Sequence, residues 1–346
     1  MRQLLISPSG RFYGSEQVLY DYLSATSLSF DVYVPQHSEL KDKLGRHPGS
    51  HRILGFDPSS LKFFYARLAW QLWRNKYDVL YCNEAGHVRY IQTLASFFRK
   101  KKFVVHVRLN EDTDAARWKT PLQANLQVIT ISSYISSKLP FTNTMICDPY
   151  PFHSHTVTVL PPGTTSRIGI IGRISFSKGL KQLLGLLHYI DHSNAAFKFI
   201  LFGEPDEITK ESAELKELLS NPAVEYRGFC NDKNMIYDDL DAVLHLCATE
   251  PLGRIFPESI GYDVPLIGFN SGGIGEIGQL TGLTALLVEV DETNVPAALY
   301  KKLLMVKNDR PALVEAIRQN KEKAMQLFSL AGYCSKLDSI LQPVSI

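Results

Sequence analysis

The chain has 346 residues, of which 45% are hydrophobic and 21% charged, and its formal net charge is +2. That length supports two domains with separate cores. No run of 18 or more apolar residues occurs, which excludes a membrane-spanning helix. Five scattered cysteines, Cys82, Cys147, Cys230, Cys247 and Cys334, argue against a disulfide framework or zinc site and for a reducing cytoplasm.

The opening MRQLLISPSG reads as a first strand over Gln3 to Ile6 and not as a signal peptide. An amphipathic helix is predicted over Ser15 to Ser24, carrying Val18, Leu19 and Tyr22. Strands follow at Asp31 to Pro35 and Arg52 to Phe56, with a helix ending at Gly45 between them. An aromatic-rich helix over Leu61 to Trp73 precedes a buried strand over Tyr77 to Cys82. A helix over Val88 to Phe98 then ends in the cations Arg99 to Lys102, which suit its dipole. Strands at Phe103 to Val107, Gln127 to Ile131 and Thr144 to Cys147 complete this half, with a helix from Ser132-Ser133 to Leu139 between the last two. Asp148 to Pro162, rich in Pro and His, reads as a linker.

The second half repeats the alternation. Strands are predicted at Arg167 to Gly172, Phe197 to Phe202, Val224 to Arg227, Ala242 to Leu246, Leu266 to Phe269 and Ala285 to Val288. Helices are predicted over Lys178 to Ile190, Ile208 to Leu219, Val295 to Val306, Pro311 to Leu327 and Ala331 to Leu341. Strands alternating with helices imply parallel, doubly wound sheets with ligands beyond the carboxyl ends of the strands.

Two stretches carry the chemistry. In IIGRISFSKGL a strand is followed by Gly172-Arg173, then Lys178-Gly179 open a helix. Two cations at a helix start suit a diphosphate, which backbone N–H groups would also hold. In ATEPLGRIFPESIGYDVPLIGFNSGGIGE, Glu250 and Glu258 flank the entry to a second helix, and Gly272-Gly273 lie downstream. Pro257 fits a first-turn position, where its missing N–H is harmless. Carboxylates so placed can accept hydrogen bonds from sugar or ribose hydroxyls. His188 and His192, four apart on a helix, and His153 with His155 in the linker lack the ligands to complete a metal site.

These residues resemble the retaining nucleotide-sugar glycosyltransferases of family 4. Gly172-Arg173 with Lys178-Gly179, Glu250 with Glu258, and Gly272-Gly273 with Glu276 match that family's elements in order and spacing. The match is strong in the C-terminal half and weak before it. The resemblance implies the GT-B fold: an acceptor domain over 1–150, a linker over 151–165, and a nucleotide-sugar domain over 166–330, facing the first across a cleft. The segment 331–342 is expected to pack back on the first domain. It further implies that Arg173 and Lys178 hold the diphosphate, Glu258 the ribose and Glu250 the donor sugar. The backbone of Gly253, Arg254, Ile255 and Phe256 would complete the grip, and the loop Gly228 to Asp232 would meet the base. His106 would face the sugar, with Arg108 and Asn110 on the acceptor side. Gly14 stands where the family's first glycine turn lies near the phosphates, but Ser15 replaces its second glycine.

The expected activity is therefore retaining, metal-independent hexosyl transfer. The donor would be a UDP- or GDP-sugar and the acceptor a saccharide or lipid-linked molecule, in bacterial surface polysaccharide, lipopolysaccharide or glycolipid synthesis. No cofactor and no metal are expected. A nucleotide-sugar epimerase of the same fold and a non-catalytic sugar- or nucleotide-binding subunit are the alternatives. Residues 1–165 carry 19 Lys/Arg against 12 Asp/Glu, and the rest 18 against 23. The basic half also holds Phe63, Phe64, Tyr65, Trp70, Trp73, Phe97 and Phe98. A cytoplasmic protein touching the anionic inner face of the cell membrane is one expectation; core packing of these aromatics is the other. No module for nucleic acid is evident.

Overall fold

The computed structural model describes residues 3–46, 49–152, 165–190 and 196–342. Two compact units make up the chain: Met1–Pro151 with Leu327–Ile346, and Phe152–Gln326. Each is an α/β unit built on one parallel sheet.

In the first unit the chain runs β1 (Gln3–Ile6), α1 (Gly14–Ala25), β2 (Phe30–Pro35), α2 (Glu39–Gly45), β3 (Arg52–Phe56), α3 (Leu61–Trp73), β4 (Val79–Cys82), α4 (Val88–Phe97), β5 (Lys102–Val107), β6 (Leu126–Thr130), α5 (Ser133–Ser136) and β7 (Thr144–Met145). The strand order is β3-β2-β1-β4-β5-β6-β7, all parallel. β1 and β4 are buried throughout, because helices cover both faces. The expected helix from Ser132 to Leu139 shrinks to four residues, with the Ser132 hydroxyl capping it at Ile135 N–H.

The second unit contains β8 (Ser166–Ile171), α6 (Leu180–Tyr189), β9 (Phe197–Phe202), α7 (Ala213–Ser220), β10 (Val224–Gly228), α8 (Lys233–Tyr237), β11 (Ala242–His245), α9 (Ile255–Gly261), β12 (Leu266–Phe269), α10 (Gly272–Thr281), β13 (Leu287–Val288) and α11 (Val295–Leu327). Its strand order is β10-β9-β8-β11-β12-β13, again all parallel. α7 starts five residues later than Ile208, because Asp206 accepts from Thr209 N–H and closes a turn first. α8 was not anticipated. α11 is kinked at Asp309, in the turn before Pro311, which supplies no N–H to the helix ladder and whose ring crowds that turn.

α12 (Leu330–Leu341) belongs to the first unit. Tyr333 meets Tyr22 of α1 edge to face at 6.0 Å, and the Tyr22 hydroxyl donates to Asp338 at 2.6 Å. The linker histidines His153 and His155, and His192, lie outside the described residues, as does most of the linker.

Candidate functional site

The strand order of the second sheet reverses between β8 and β11, its central neighbours. A crevice at the carboxyl ends of two such strands is where open α/β sheets bind ligands. The loop after β8 carries Gly172, Arg173 and Lys178; the loop after β11 carries Glu250.

These loops meet. Lys178 Nζ donates to Glu250 Oε2 at 2.6 Å. His245, the last residue of β11, donates from Nε2 to the same oxygen at 3.1 Å. The carboxylate is mostly buried. Burial alone would push its pKa up, but the His245 hydrogen bond and the Lys178 charge outweigh it and lower the value to about 2. Glu250 is thus a fixed anion and hydrogen-bond acceptor.

The glycines explain how the loops approach. Gly179 has φ +93°, and a Cβ there would lie 2.4 Å from the Leu246 carbonyl oxygen. Only glycine lets Lys178 come this close to the end of β11. At Gly273 a Cβ would lie 2.2 Å from the Leu252 carbonyl oxygen, and its N–H donates to the Glu250 carbonyl at 2.8 Å. The Gly-Gly pair therefore opens α10 while seating the Glu250 loop on it.

Glu258 stands in the first turn of α9, inside a separate set of partners. It accepts from Lys233 Nζ at 2.7 Å and from the Tyr237 hydroxyl at 2.8 Å. Both donors come from α8, and the Tyr237 ring stacks on Tyr262 with centroids 4.5 Å apart. Arg173 is exposed just past β8. Gly253 takes φ +86°, and Arg254 and Ile255 lead into α9. Phe256 departs from expectation: its N–H already donates to the Gly253 carbonyl at 2.9 Å, closing the turn before α9, and its ring is buried. That N–H is occupied by the protein itself.

His245, Lys233 and Tyr237 are the neighbours that sequence reasoning missed. His245 left one faint signal, a polar residue ending an apolar strand five positions before Glu250. Ligand atoms of His245, Cys247 and Glu250 lie within 4.8 Å of one another, close enough to share a metal ion among the described residues. The Lys178 ammonium on Glu250 already places a cation beside that carboxylate. His188, the describable half of the expected histidine pair, instead meets Glu217.

The first unit holds Gly14 and His106. His106 lies in β5 and is fully buried. Its Nδ1 is 2.9 Å from the Tyr81 hydroxyl and 3.1 Å from Arg108 Nη2, while Nε2 has no partner. Burial and the Arg108 charge hold its pKa well below the ordinary histidine value. Within its own unit the ring is a neutral acceptor inside a buried polar cluster. Arg108 is buried too, bound to Asp148, the Asn83 carbonyl and the Tyr333 hydroxyl, so it lines no open surface. Asn110 accepts from Lys138 Nζ at 2.8 Å.

Gly14 begins α1 and is exposed. The next residue matters more. The first sheet reverses between β1 and β4, and Ser15, after β1, donates to Glu84, after β4, at 2.6 Å. Burial, then the nearby Glu16 charge, push the Glu84 carboxyl up to about 7.

Residues 158–324 match the family described as glycosyl transferases group 1. A protein encoded in the cps region of Klebsiella pneumoniae, known as an uncharacterized 42.6 kDa protein, is 32% identical over 127 residues, 37% of this chain and 32% of that protein's length. Among solved structures, Anabaena HepE in complex with UDP and glucose superposes over 99% of both chains with a TM-score of 0.75 at 17% identity. The lipopolysaccharide outer core galactosyltransferase WaaB matches over 98% of this chain and 100% of its own, with a TM-score of 0.71 at 14% identity. A glycosyltransferase from Rickettsia africae matches over 98% of both chains, with a TM-score of 0.75 at 15% identity. Residues 158–324 are thus similar to group 1 glycosyl transferases, within a chain of GT-B fold.

Proposed function

We propose that this chain transfers a hexose from a nucleoside-diphosphate sugar to a saccharide or lipid-linked acceptor in surface polysaccharide or lipopolysaccharide assembly. The observation that carries this reading is the meeting of Lys178 and Glu250 at 2.6 Å across the switch point of the second sheet. A cation for phosphate and a permanently ionised acceptor for hydroxyls stand side by side where such sheets bind ligands. The group 1 match over 158–324, the UDP and glucose bound by HepE and the galactosyl transfer named for WaaB support the same class.

In this reading Lys178 keeps two ammonium protons free of Glu250 for diphosphate oxygens, and Arg173 adds a second charge. Both stabilise the negative charge that grows on the leaving diphosphate. Their charge serves in place of a metal ion. Glu250, held by His245, accepts hydrogen bonds from the donor sugar, and Glu258 from ribose hydroxyls. The N–H groups of Gly253, Arg254 and Ile255 face the sugar side. Transfer retains anomeric configuration by front-side attack. The acceptor oxygen bonds to the anomeric carbon as the bond to the diphosphate breaks, and the departing phosphate oxygen takes the acceptor proton.

The test is Glu250→Gln, assayed for transfer and, by calorimetry, for nucleoside diphosphate binding. A panel of UDP, GDP and their sugars in a thermal-shift screen supplies the donor first. Binding is expected to persist while transfer is lost; undiminished transfer removes Glu250 from the mechanism. Release of free nucleoside diphosphate only when acceptor is present separates transfer from epimerisation. Activity is expected to survive EDTA, and its loss would bring His245, Cys247 and Glu250 back as metal ligands.

A further inference from the structure

The first unit presents a helix whose outward face is aromatic. On α3, Phe64, Tyr65, Leu68 and Leu72 pack inward. The opposite face carries Phe63, Trp70 and Trp73, which are 78%, 55% and 72% exposed. A surface helix ordinarily turns its polar side to water. Here the positions i, i+4, i+7 and i+11 read Phe63, Arg67, Trp70 and, at the C-cap, Arg74, one stripe about 16 Å long. Trp73 and Lys62 flank the stripe. The Arg74 guanidinium lies over the Trp70 ring, 4.9 Å from its centroid.

Charge on this face has one sign. No acidic residue occurs between Pro58 and Tyr77, while Lys62, Arg67 and Arg74 are all exposed. Tryptophan beside arginine suits the boundary where lipid headgroups meet acyl chains: the indole ring buries its apolar body and keeps its N–H wet. Cations around it are drawn to anionic headgroups.

We infer that α3 lies flat on an anionic membrane surface, inserting Phe63, Trp70 and Trp73 between headgroups while Lys62, Arg67 and Arg74 pair with lipid phosphates. Sequence alone left the aromatics of this helix divided between core and surface. The structure sorts them: Phe64 and Tyr65 are core, and Phe63, Trp70 and Trp73 are outside. The inference is independent of the donor chemistry, since every residue it uses belongs to the first unit and none to the sugar site.

The test is sedimentation of the full chain with vesicles of phosphatidylcholine alone and of phosphatidylcholine mixed with phosphatidylglycerol. The protein is expected to pellet with the mixed vesicles at low salt, to be released as salt rises, and to stay in solution with phosphatidylcholine alone. Arg67→Glu with Arg74→Glu is expected to weaken partitioning by at least about thirtyfold, the ratio that losing two cations near an anionic leaflet implies. Phe63→Ser, Trp70→Ser and Trp73→Ser together are expected to abolish it, with far-ultraviolet circular dichroism unchanged because all three side chains are outside the core. Three results overturn the inference. One is wild-type protein remaining in solution with the mixed vesicles at low salt; another is the triple variant pelleting as wild type does. The third is a concentration-dependent dimer that the triple variant abolishes, which would give the face to a second copy of the chain.

Discussion

The Lys178–Glu250 pair can be tested apart from catalysis. Glu250 titrates at about 2 instead of 4.5, and at ~1.4 kcal/mol per pKa unit this corresponds to ~3 kcal/mol of stabilisation of the second unit. His245 and Lys178 share it, so Lys178→Met is expected to destabilise that unit by roughly 1–2 kcal/mol at pH 7. The sign follows from a folded value below the unfolded one. Stabilisation is complete above pH 4.5 and is lost as the pH falls toward 2. The gap between wild type and Lys178→Met should therefore narrow through that window. All three tryptophans lie in the first unit, so fluorescence does not report on this site. Hydrogen exchange of β11 and α10 under increasing urea does. The decisive comparison is a double-mutant cycle with Glu250→Gln. If Lys178→Met weakens protection equally in the wild-type and Glu250→Gln backgrounds, the two side chains are not coupled and the site argument loses its centre.

Three further outcomes are expected. Gly273→Ala drives a Cβ into the Leu252 backbone; transfer should collapse and the melting temperature drop, whereas Gly45→Ala, where a Cβ meets nothing, should leave both unchanged. Glu84 has a folded pKa raised to about 7, so its stabilisation is full below 4.5 and lost as the pH rises through 7; Glu84→Gln should gain stability over wild type at pH 8 and none at pH 4, measured by tryptophan fluorescence in urea. Asp148→Ala leaves the buried Arg108 guanidinium without its carboxylate and should destabilise the first unit by about 3–5 kcal/mol, read by the same fluorescence.

Much of the fold was legible because buried parallel strands read as apolar runs: VLYC, FVVHV, FKFILF and LIGF each mark a strand within a residue or two. The five residues of α8 were not, since one turn and a half shows no periodicity. With α8 unseen, Lys233 and Tyr237 could not be placed beside Glu258. His106 shows the opposite limit, a residue whose place was legible and whose surroundings were not. Its position at the end of a strand was read correctly, but exposure is not a property of position: Tyr81, 25 residues behind, and Arg108 bond to it, and Arg108 is itself held by Tyr333, 225 residues further on.

What no local pattern could reveal is which loops meet. Lys178 and Glu250 are 72 residues apart and Ser15 and Glu84 are 69 apart. Each pair closes only because its sheet places the two preceding strands side by side at the reversal of strand order. The same winding thus builds a polar pair twice, with opposite electrostatics. In the second unit an ammonium and an imidazole hold the carboxylate ionised, with its pKa near 2. In the first, burial and a neighbouring carboxylate, against a single hydroxyl hydrogen bond, leave it titrating near 7. Topology supplies the meeting point, and whether His245 and Lys178 offset burial, as at Glu250, or Glu16 adds to it, as at Glu84, decides whether that point carries a fixed charge or an exchangeable proton.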